Sequence, residues 1–495
     1  FHIQDNGYAI SVPVDEQTSG ASIYNICAGY ENLSRFHVDG TNFFESHLAF
    51  KKAIERARKG LGPSVIVSKV VRLLPHSSSD DQRKYRSEEE LEKDKKTDPL
   101  LVFKQKCIKK SIISDKEFLK IDEKMKQMIE KEVDYVEEQP NPDPASASDH
   151  LFSNSSDLDA SCTIDPKDVK DKIVMVDSIN HALSEELDFN DKMLVYGEDV
   201  GGDKGGVFTA TRGLTKKFGD DRVFNSPLAE SSIIGTAIGL SVVGYKPVVE
   251  IQFGDYIWPA MMQIRNEVAT MRYRSAGNWA CPLVIRVPVG GYIHGSLYHS
   301  QSIDGYFAHT PGLKIAYPSN AADAKGLLKY ACRCDDPVLF MEHKGIYRQG
   351  FASSLEPDED YLLPFGKARV VQEGSDLTIV TWGAIVQKAV EASRNSNKSV
   401  EVIDIRTLNP LDMDTILNSI KKTNRVIVAH EDHLTAGFGS EISAQISDLG
   451  FEFLDAPVKR IASKDVHVAY SPNLENEILV QTSWIEKEIE QITNY

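Results

Sequence analysis

The chain has 495 residues, with 73 acidic side chains against 56 lysines and arginines, for a formal net charge of -17. At roughly 100 to 200 residues per domain, that length excludes a single core and points to about three domains. The acidic balance disfavours long-range attraction to nucleic acid or an anionic membrane, while 41% hydrophobic residues leave each domain enough to bury a core.

Six cysteines, Cys27, Cys107, Cys162, Cys281, Cys332 and Cys334, are scattered over the chain and fit a reducing compartment without a disulfide framework. Cys332 and Cys334 form a CxC with no second pair nearby to complete a zinc site. No window carries the roughly 20 apolar residues of a membrane span and no secretory leader is visible, so a soluble, cytoplasmic protein is expected.

The first nine residues, FHIQDNGYA, enter a turn from what reads as the end of a strand, so the natural N-terminus is expected to be missing. Residues 43–59 carry Phe43, Phe44, Leu48, Ala49 and Ile54 on a helical period with Asn42 placed to cap them. Gly60, Gly62 and Pro63 stop that helix, and residues 64–71 read as a buried strand, which makes an α/β pattern. Ser114 and Glu117 form a capping box ahead of a helix over 114–136 whose apolar residues include Ile121, Met125 and Met128. Residues 137–161, rich in Pro, Ser, Asp and Asn, read as an exposed linker.

Beyond it, the pattern predicts a helix over 175–186, a strand over 193–196, a short helix near 214–218 and a helix over 230–242. A strand near 247–251, a long helix over 259–272 and a strand over 283–287 follow. Composition shifts again near 356–366, and short parallel strands alternating with helices then define a compact third α/β unit. The expected division is 1–138, a linker over 139–165, 166–355 and 356–495.

Several stretches carry chemistry. The glycines of GEDVGGDKGGVF, residues 197–208, fit neither a dinucleotide fingerprint nor a Walker loop, which leaves a phosphate cradle or a tight structural turn. Glu230 opens an apolar helix, where a carboxylate either complements the helix dipole or, partly buried, exchanges a proton with a ring nitrogen. HGSLYHSQS, residues 294–302, follows a strand with two histidines that titrate near neutrality. Residues 73–86, LLPHSSSDDQRKYR, form either an anion-binding or a merely solvated loop. Chemistry alone stops at a multidomain α/β enzyme.

QDNGYAISVP, VDGTNFF, RLLPHSSSDDQRKYR, YGEDVGG, RVFNSPLAESSI, EIQFGDYIWPA, HGSLYHSQS, EVIDIRTLNP and HEDHLTAGFGSEI go further. Residues 1–138 resemble the C-terminal part of the alpha subunit of a thiamine-diphosphate-dependent 2-oxo acid dehydrogenase E1 component. The remainder resembles a complete beta subunit, so the chain is similar to a fused alpha-beta form. The resemblance implies an α/β fold of transketolase-like cofactor-binding domains with parallel sheets flanked by helices, plus a C-terminal transketolase-like α/β domain. HGSLYHSQS and QFGDYIWPA are closer to branched-chain enzymes than to pyruvate dehydrogenases.

The resemblance implies thiamine diphosphate and Mg²⁺ as cofactors. Asn6 and the Tyr8 carbonyl match metal ligands, and the GDG motif that supplies a companion aspartate in the family is absent from this sequence. Arg72 matches a diphosphate-binding arginine and His76 an active-site histidine, with Ser77 at a position phosphorylated in animal relatives. Glu230 matches the glutamate at the aminopyrimidine N1', Leu228 and Tyr256 match contacts to that ring, and His299 matches a histidine that steers the lipoyl group, with His294 the weaker candidate. Arg406 and Glu431 fit either subunit interfaces or surface salt bridges.

The implied reaction is oxidative decarboxylation of a 3-methyl-2-oxobutanoate-type acid with reductive acylation of the lipoyl group on E2, and indirectly a link to E3. The implied assembly is a homodimer of fused chains equivalent to alpha2beta2. The alternatives are a pyruvate dehydrogenase E1 and a catalytically incomplete scaffold for E2. HSSSDD and HGSLYHSQS disfavour transketolase or deoxyxylulose phosphate synthase chemistry.

Overall fold

The computed structural model describes residues 1–164, 166 and 168–495; Asp165, at the end of the expected linker, lies outside the described residues. The chain divides into two compact units, Phe1–Pro142 and Asp143–Tyr495.

In the first unit, three parallel strands lie in the order His2–Asp5, Ser64–Lys69, Ser34–Asp39. The central strand is the apolar run that the sequence marks, and Val65, Ile66 and Val67 are buried. The helix Phe43–Arg58 connects the second strand to the third. Asn42 sits at its N-cap position, but its side-chain amide donates to Glu45 at 2.5 Å instead of accepting from the helix backbone. A glutamate one turn into the helix thus competes for the cap residue. The capping box of Ser114 and Glu117 forms and opens the helix Asp115–Glu137.

The second unit is built on a seven-stranded sheet in the order Thr407–Asn409, Lys314–Ala316, Val338–His343, Val284–Val289, Lys246–Glu250, Met193–Gly197, Val223–Asn225. All pairs are parallel except the outermost, where Thr407–Asn409 runs antiparallel to Lys314–Ala316. A five-stranded sheet orders Arg369–Gln372, Val400–Asp404, Leu377–Thr381, Val426–His433 and Lys459–Ser463, with the first strand antiparallel. One continuous core joins the two sheets, with Val287, Ile303 and Phe307 in the same cluster as Trp382, Val428 and Ile442. Strands covered on both faces are predominantly apolar, and the charged residues they bury, such as Arg286 between Glu250 and Glu342, are paired.

Several elements differ from the sequence pattern. The expected helix over 259–272 is divided into a 3₁₀ turn Trp258–Ala260, a π-helical stretch Gln263–Val268 and a short helix Met271–Arg274. Ala260, Ile264 and Val268 are buried four residues apart, a spacing that does not separate the two kinds of turn. A strand Val169–Ile173 precedes the helix Met175–Phe189 and pairs antiparallel with Ser354–Pro357. In the Pro- and Ser-rich stretch, Ser153 donates from N and Oγ to the buried Asp336 carboxylate at 2.7 and 2.8 Å, and Tyr330 donates to Asp159 at 2.7 Å. Polar contacts anchor this stretch where apolar burial could not.

Candidate active site

Parallel strands deliver their carboxyl ends to one edge of a sheet, where the following loops line a crevice. In the second unit, Glu198 follows the strand Met193–Gly197, and Glu230 opens the helix Glu230–Val242 just beyond Val223–Asn225. Tyr256 closes the 3₁₀ turn after Lys246–Glu250, and His299 lies in the loop after Val284–Val289.

These side chains meet. Tyr256 Oη and His299 Nε2 are 3.0 Å apart, and the His299 ring stands edge-on to Phe253 with centroids at 4.7 Å. Burial, reinforced by Glu230, Asp199 and Glu250, pushes the Glu198 carboxyl up to about 7. Burial first, then the Asp255 and Glu230 carboxylates, raises the Tyr256 hydroxyl above its ordinary range. Two carboxylates therefore face one cleft, and one of them can hold a proton near neutrality. Leu228, in the loop ahead of Glu230, is 80% exposed.

Behind this cleft lie groups that local sequence did not single out. Among the described residues Lys344 Nζ is buried without a hydrogen-bond partner, and burial pushes its ammonium down to about 8 against the opposing pull of Asp255 and Glu431. Asp255 is raised by burial and accepts from Gln301 N at 3.4 Å. Arg406 and Glu431 are not surface groups. Arg406 donates to the buried Asp323 at 2.8 and 3.0 Å, and Glu431 pairs with His343 Nε2 at 2.5 Å and accepts from Gly291 N at 2.6 Å. Strand-end positions could have flagged Glu198 and Lys344, which directly follow buried strands, whereas Glu431 lies inside one and carries no comparable local signal.

The glycine stretch is a tight turn. Gly205 has φ +67°, and a Cβ there would lie 2.2 Å from the Arg212 Cα. Gly206 N donates to the Asp199 carbonyl at 2.8 Å.

In the first unit, Asn6, Tyr8 and Arg72 also follow strand ends. Asn6 Oδ1 accepts from Tyr8 N at 2.9 Å, and the Tyr8 hydroxyl donates to both oxygens of Glu90 at 3.1 Å. Arg72 donates to the Ile10 carbonyl and the Tyr85 hydroxyl, each at 2.6 Å, with its guanidinium 5.5 Å from the Tyr8 ring centroid. Its Nε is buried without a partner. His76 lies on the exposed loop that follows, where its backbone N donates to Asp80 at 2.9 Å, and Ser77 is exposed beside it.

The fold and the cleft define a transketolase-like α/β protein. The family model "Transketolase, pyrimidine binding domain" matches residues 171–349, "Transketolase, C-terminal domain" matches 366–485, and "Dehydrogenase E1 component" matches 1–145. The 2-oxoisovalerate dehydrogenase subunit beta of Bacillus subtilis is 45% identical over 324 residues, 65% of this chain and 98% of the relative. The pyruvate dehydrogenase E1 component subunit beta of the same organism is also 45% identical, over 61% of this chain and 92% of its own. A solved "Split gene transketolase, inactive beta4 tetramer" shares the fold with a TM-score of 0.52 at 23% identity, over 65% of this chain and 98% of its own. The chain belongs to the thiamine-diphosphate-dependent 2-oxo acid dehydrogenase E1 family, with a beta-type portion to which residues 1–145 add an E1 segment.

The residues present fit that family's cofactor. Glu198 Oε1 is buried without a hydrogen-bond partner beside Glu230, which suits a protonatable heterocycle, and the unpartnered Nε of Arg72 suits a phosphate oxygen. Asn6 and the Tyr8 carbonyl offer the hard oxygens that Mg²⁺ takes.

Proposed function

We propose that the chain is the E1 component of a branched-chain 2-oxo acid dehydrogenase complex, combining an alpha-type segment with a beta-type portion and acting as a homodimer. The observation that carries this reading is the cleft in which Glu230, raised-pKa Glu198 and the Tyr256–His299 pair converge. The branched-chain preference rests on the HGSLYHSQS and QFGDYIWPA stretches.

When bound, thiamine diphosphate supplies the electron sink for decarboxylation. Glu230 holds or accepts a proton at N1' of the aminopyrimidine, and Glu198 keeps a second carboxyl beside it that is protonated part of the time at neutral pH. Phe208 and Phe253, with ring centroids 5.6 Å apart, form an apolar wall that limits water. Tyr256 fixes the His299 imidazole through Nε2, so that His299 guides a lipoyl group from E2 and moves its proton. Leu228, exposed on the loop ahead of Glu230, would offer an apolar contact to the aminopyrimidine. In the alpha-type segment, Arg72 would bind a diphosphate, Asn6 and the Tyr8 carbonyl would hold Mg²⁺, and His76 would serve the substrate side.

The test is decarboxylation of 3-methyl-2-oxobutanoate against pyruvate by the full-length protein, followed by acyl transfer to a lipoyl domain. Faster turnover of the branched acid is expected; equal or greater use of pyruvate overturns the preference. Calorimetry with thiamine diphosphate and Mg²⁺ addresses the cofactor, and an absence of binding removes the enzymatic reading.

A further inference from the structure

The loop that carries His299 leaves its strand along a strained path. Gly290 has φ +83°, and Tyr292, His294 and Ser296 have φ of +61°, +55° and +61°, so three non-glycine residues in alternate positions adopt the left-handed region. Such a path persists only when its surroundings fix it. Its neck is closed by Gly290 N donating to the Gln301 carbonyl at 3.1 Å, but the strained residues have their anchors far along the chain. Gly291 N donates to Glu431 Oε1 at 2.6 Å, and the Tyr292 hydroxyl donates to the Val480 carbonyl at 2.8 Å. His294 N donates to Glu475 Oε1 at 3.1 Å, while His294 Nδ1 lies 2.6 Å from Glu475 Oε2.

Glu475 is the unusual member. It is fully buried in the helix Pro472–Ile478, where Oε1 accepts from His294 N; Oε2 lies 2.6 Å from His294 Nδ1 as an ion-pair contact without hydrogen-bond geometry and has no hydrogen-bond partner among the described residues. Burying a carboxylate is costly, and among the described residues its hydrogen bond comes from the loop, while its place in the first turn of the helix adds a smaller favourable term. His294 itself is turned to this carboxylate, whereas His299 is turned to Tyr256.

We propose that Glu475, with Glu431, is a positioning residue: the C-terminal portion clasps the 290–302 loop in its strained path and thereby presents His299 to the cleft. Only the catalytic consequence rests on the function proposed above; the clasp itself is a property of the loop.

The experiment is hydrogen–deuterium exchange of the full-length protein, comparing wild type with Glu475→Ala, Glu475→Gln and His294→Asn. Glutamine can keep the amide contact, its Oε1 accepting from His294 N as the carboxylate does. His294→Asn tolerates the left-handed backbone, removes the imidazole from a half-exposed position, and keeps the test available if the buried alanine variant does not fold. Exchange in the 290–302 peptide is expected to rise about tenfold in Glu475→Ala and in His294→Asn, to stay near wild type in Glu475→Gln, and to be unchanged in the core strand Val284–Val289. Loop exchange at the wild-type level in His294→Asn overturns the clasp. In kinetics, kcat for acyl transfer should fall about tenfold with KM for the 2-oxo acid unchanged, since a small misplacement of a reacting group is enough for such a loss. A loosened loop with wild-type kcat overturns the positioning role. A wild-type protein inactive on every 2-oxo acid instead defeats the proposed function, and the exchange measurement then decides the clasp by itself.

Discussion

Tyr256 and His299 are 43 residues apart in sequence, yet the phenol oxygen and the imidazole Nε2 meet at 3.0 Å where two neighbouring parallel strands end. Removing the hydroxyl with Tyr256→Phe keeps the ring contact with Phe253 but frees the imidazole. Acyl transfer to a lipoyl domain is expected to drop by about tenfold, the scale of one lost orienting hydrogen bond at roughly 1.4 kcal/mol. Single-turnover rates with and without the lipoyl domain check it, and equal losses in both would remove His299 from the transfer step.

Glu230→Gln preserves shape and removes the exchangeable carboxylate. Turnover should fall by about 10²- to 10⁴-fold, the usual reach of general acid–base catalysis, while the unfolding midpoint stays close to wild type. Steady-state kinetics beside a thermal melt separates the two effects; wild-type turnover would take Glu230 out of the mechanism.

Glu198 links the cleft to pH. Its folded-state carboxyl titrates at about 7 against an ordinary value of 4.5, so the folded protein binds the proton more tightly than the unfolded chain does. The stability this confers is full below the ordinary value and is lost as pH rises through about 7. Glu198→Gln should therefore show a smaller fall in unfolding midpoint between acidic and mildly basic pH than wild type, measured without added cofactor. An identical pH profile in both proteins would contradict the raised carboxyl.

Arg72 is expected to act on phosphate. Arg72→Ala should weaken thiamine diphosphate binding at least about tenfold, the energy of a charge-assisted contact, while binding of thiamine without phosphates is unaffected. Calorimetry with the two compounds gives the comparison, and equal losses would assign Arg72 to holding the Ile10 turn and Tyr85 instead.

Under the cleft, Arg286 is fully buried between Glu250 and Glu342, with contacts of 2.7 to 2.8 Å, and Glu342 also accepts from Tyr347. Arg286→Met leaves two buried carboxylates facing each other and should cost about 3–5 kcal/mol in denaturant unfolding. Burial already raises Glu250 above its ordinary range, so the deficit should narrow as pH falls and that carboxyl takes up a proton.

The legible part of the molecule was what a short window carries. The strand Met193–Gly197 is a continuous apolar run because both faces are covered, and Glu230 announces itself as a carboxylate opening an apolar helix. The π-helical stretch Gln263–Val268 was not legible, because its buried residues keep a four-residue spacing that an ordinary helix also satisfies. Nor was the hold of Glu475 on His294, which spans 181 positions and leaves no local trace. Arg406 and Glu431 were read as interface or surface charges because nothing near them in sequence betrays Asp323 or His343 as partners.

The edge strand Thr407–Asn409 completes a sheet whose other six strands all lie before residue 344. A fragment ending near residue 365 would forfeit that strand, baring the amide and carbonyl groups of Lys314–Ala316 together with the apolar face that packs against Trp382. Open β-edges recruit other chains, so such a fragment should self-associate, and the two sheets of the second unit should melt in a single cooperative transition.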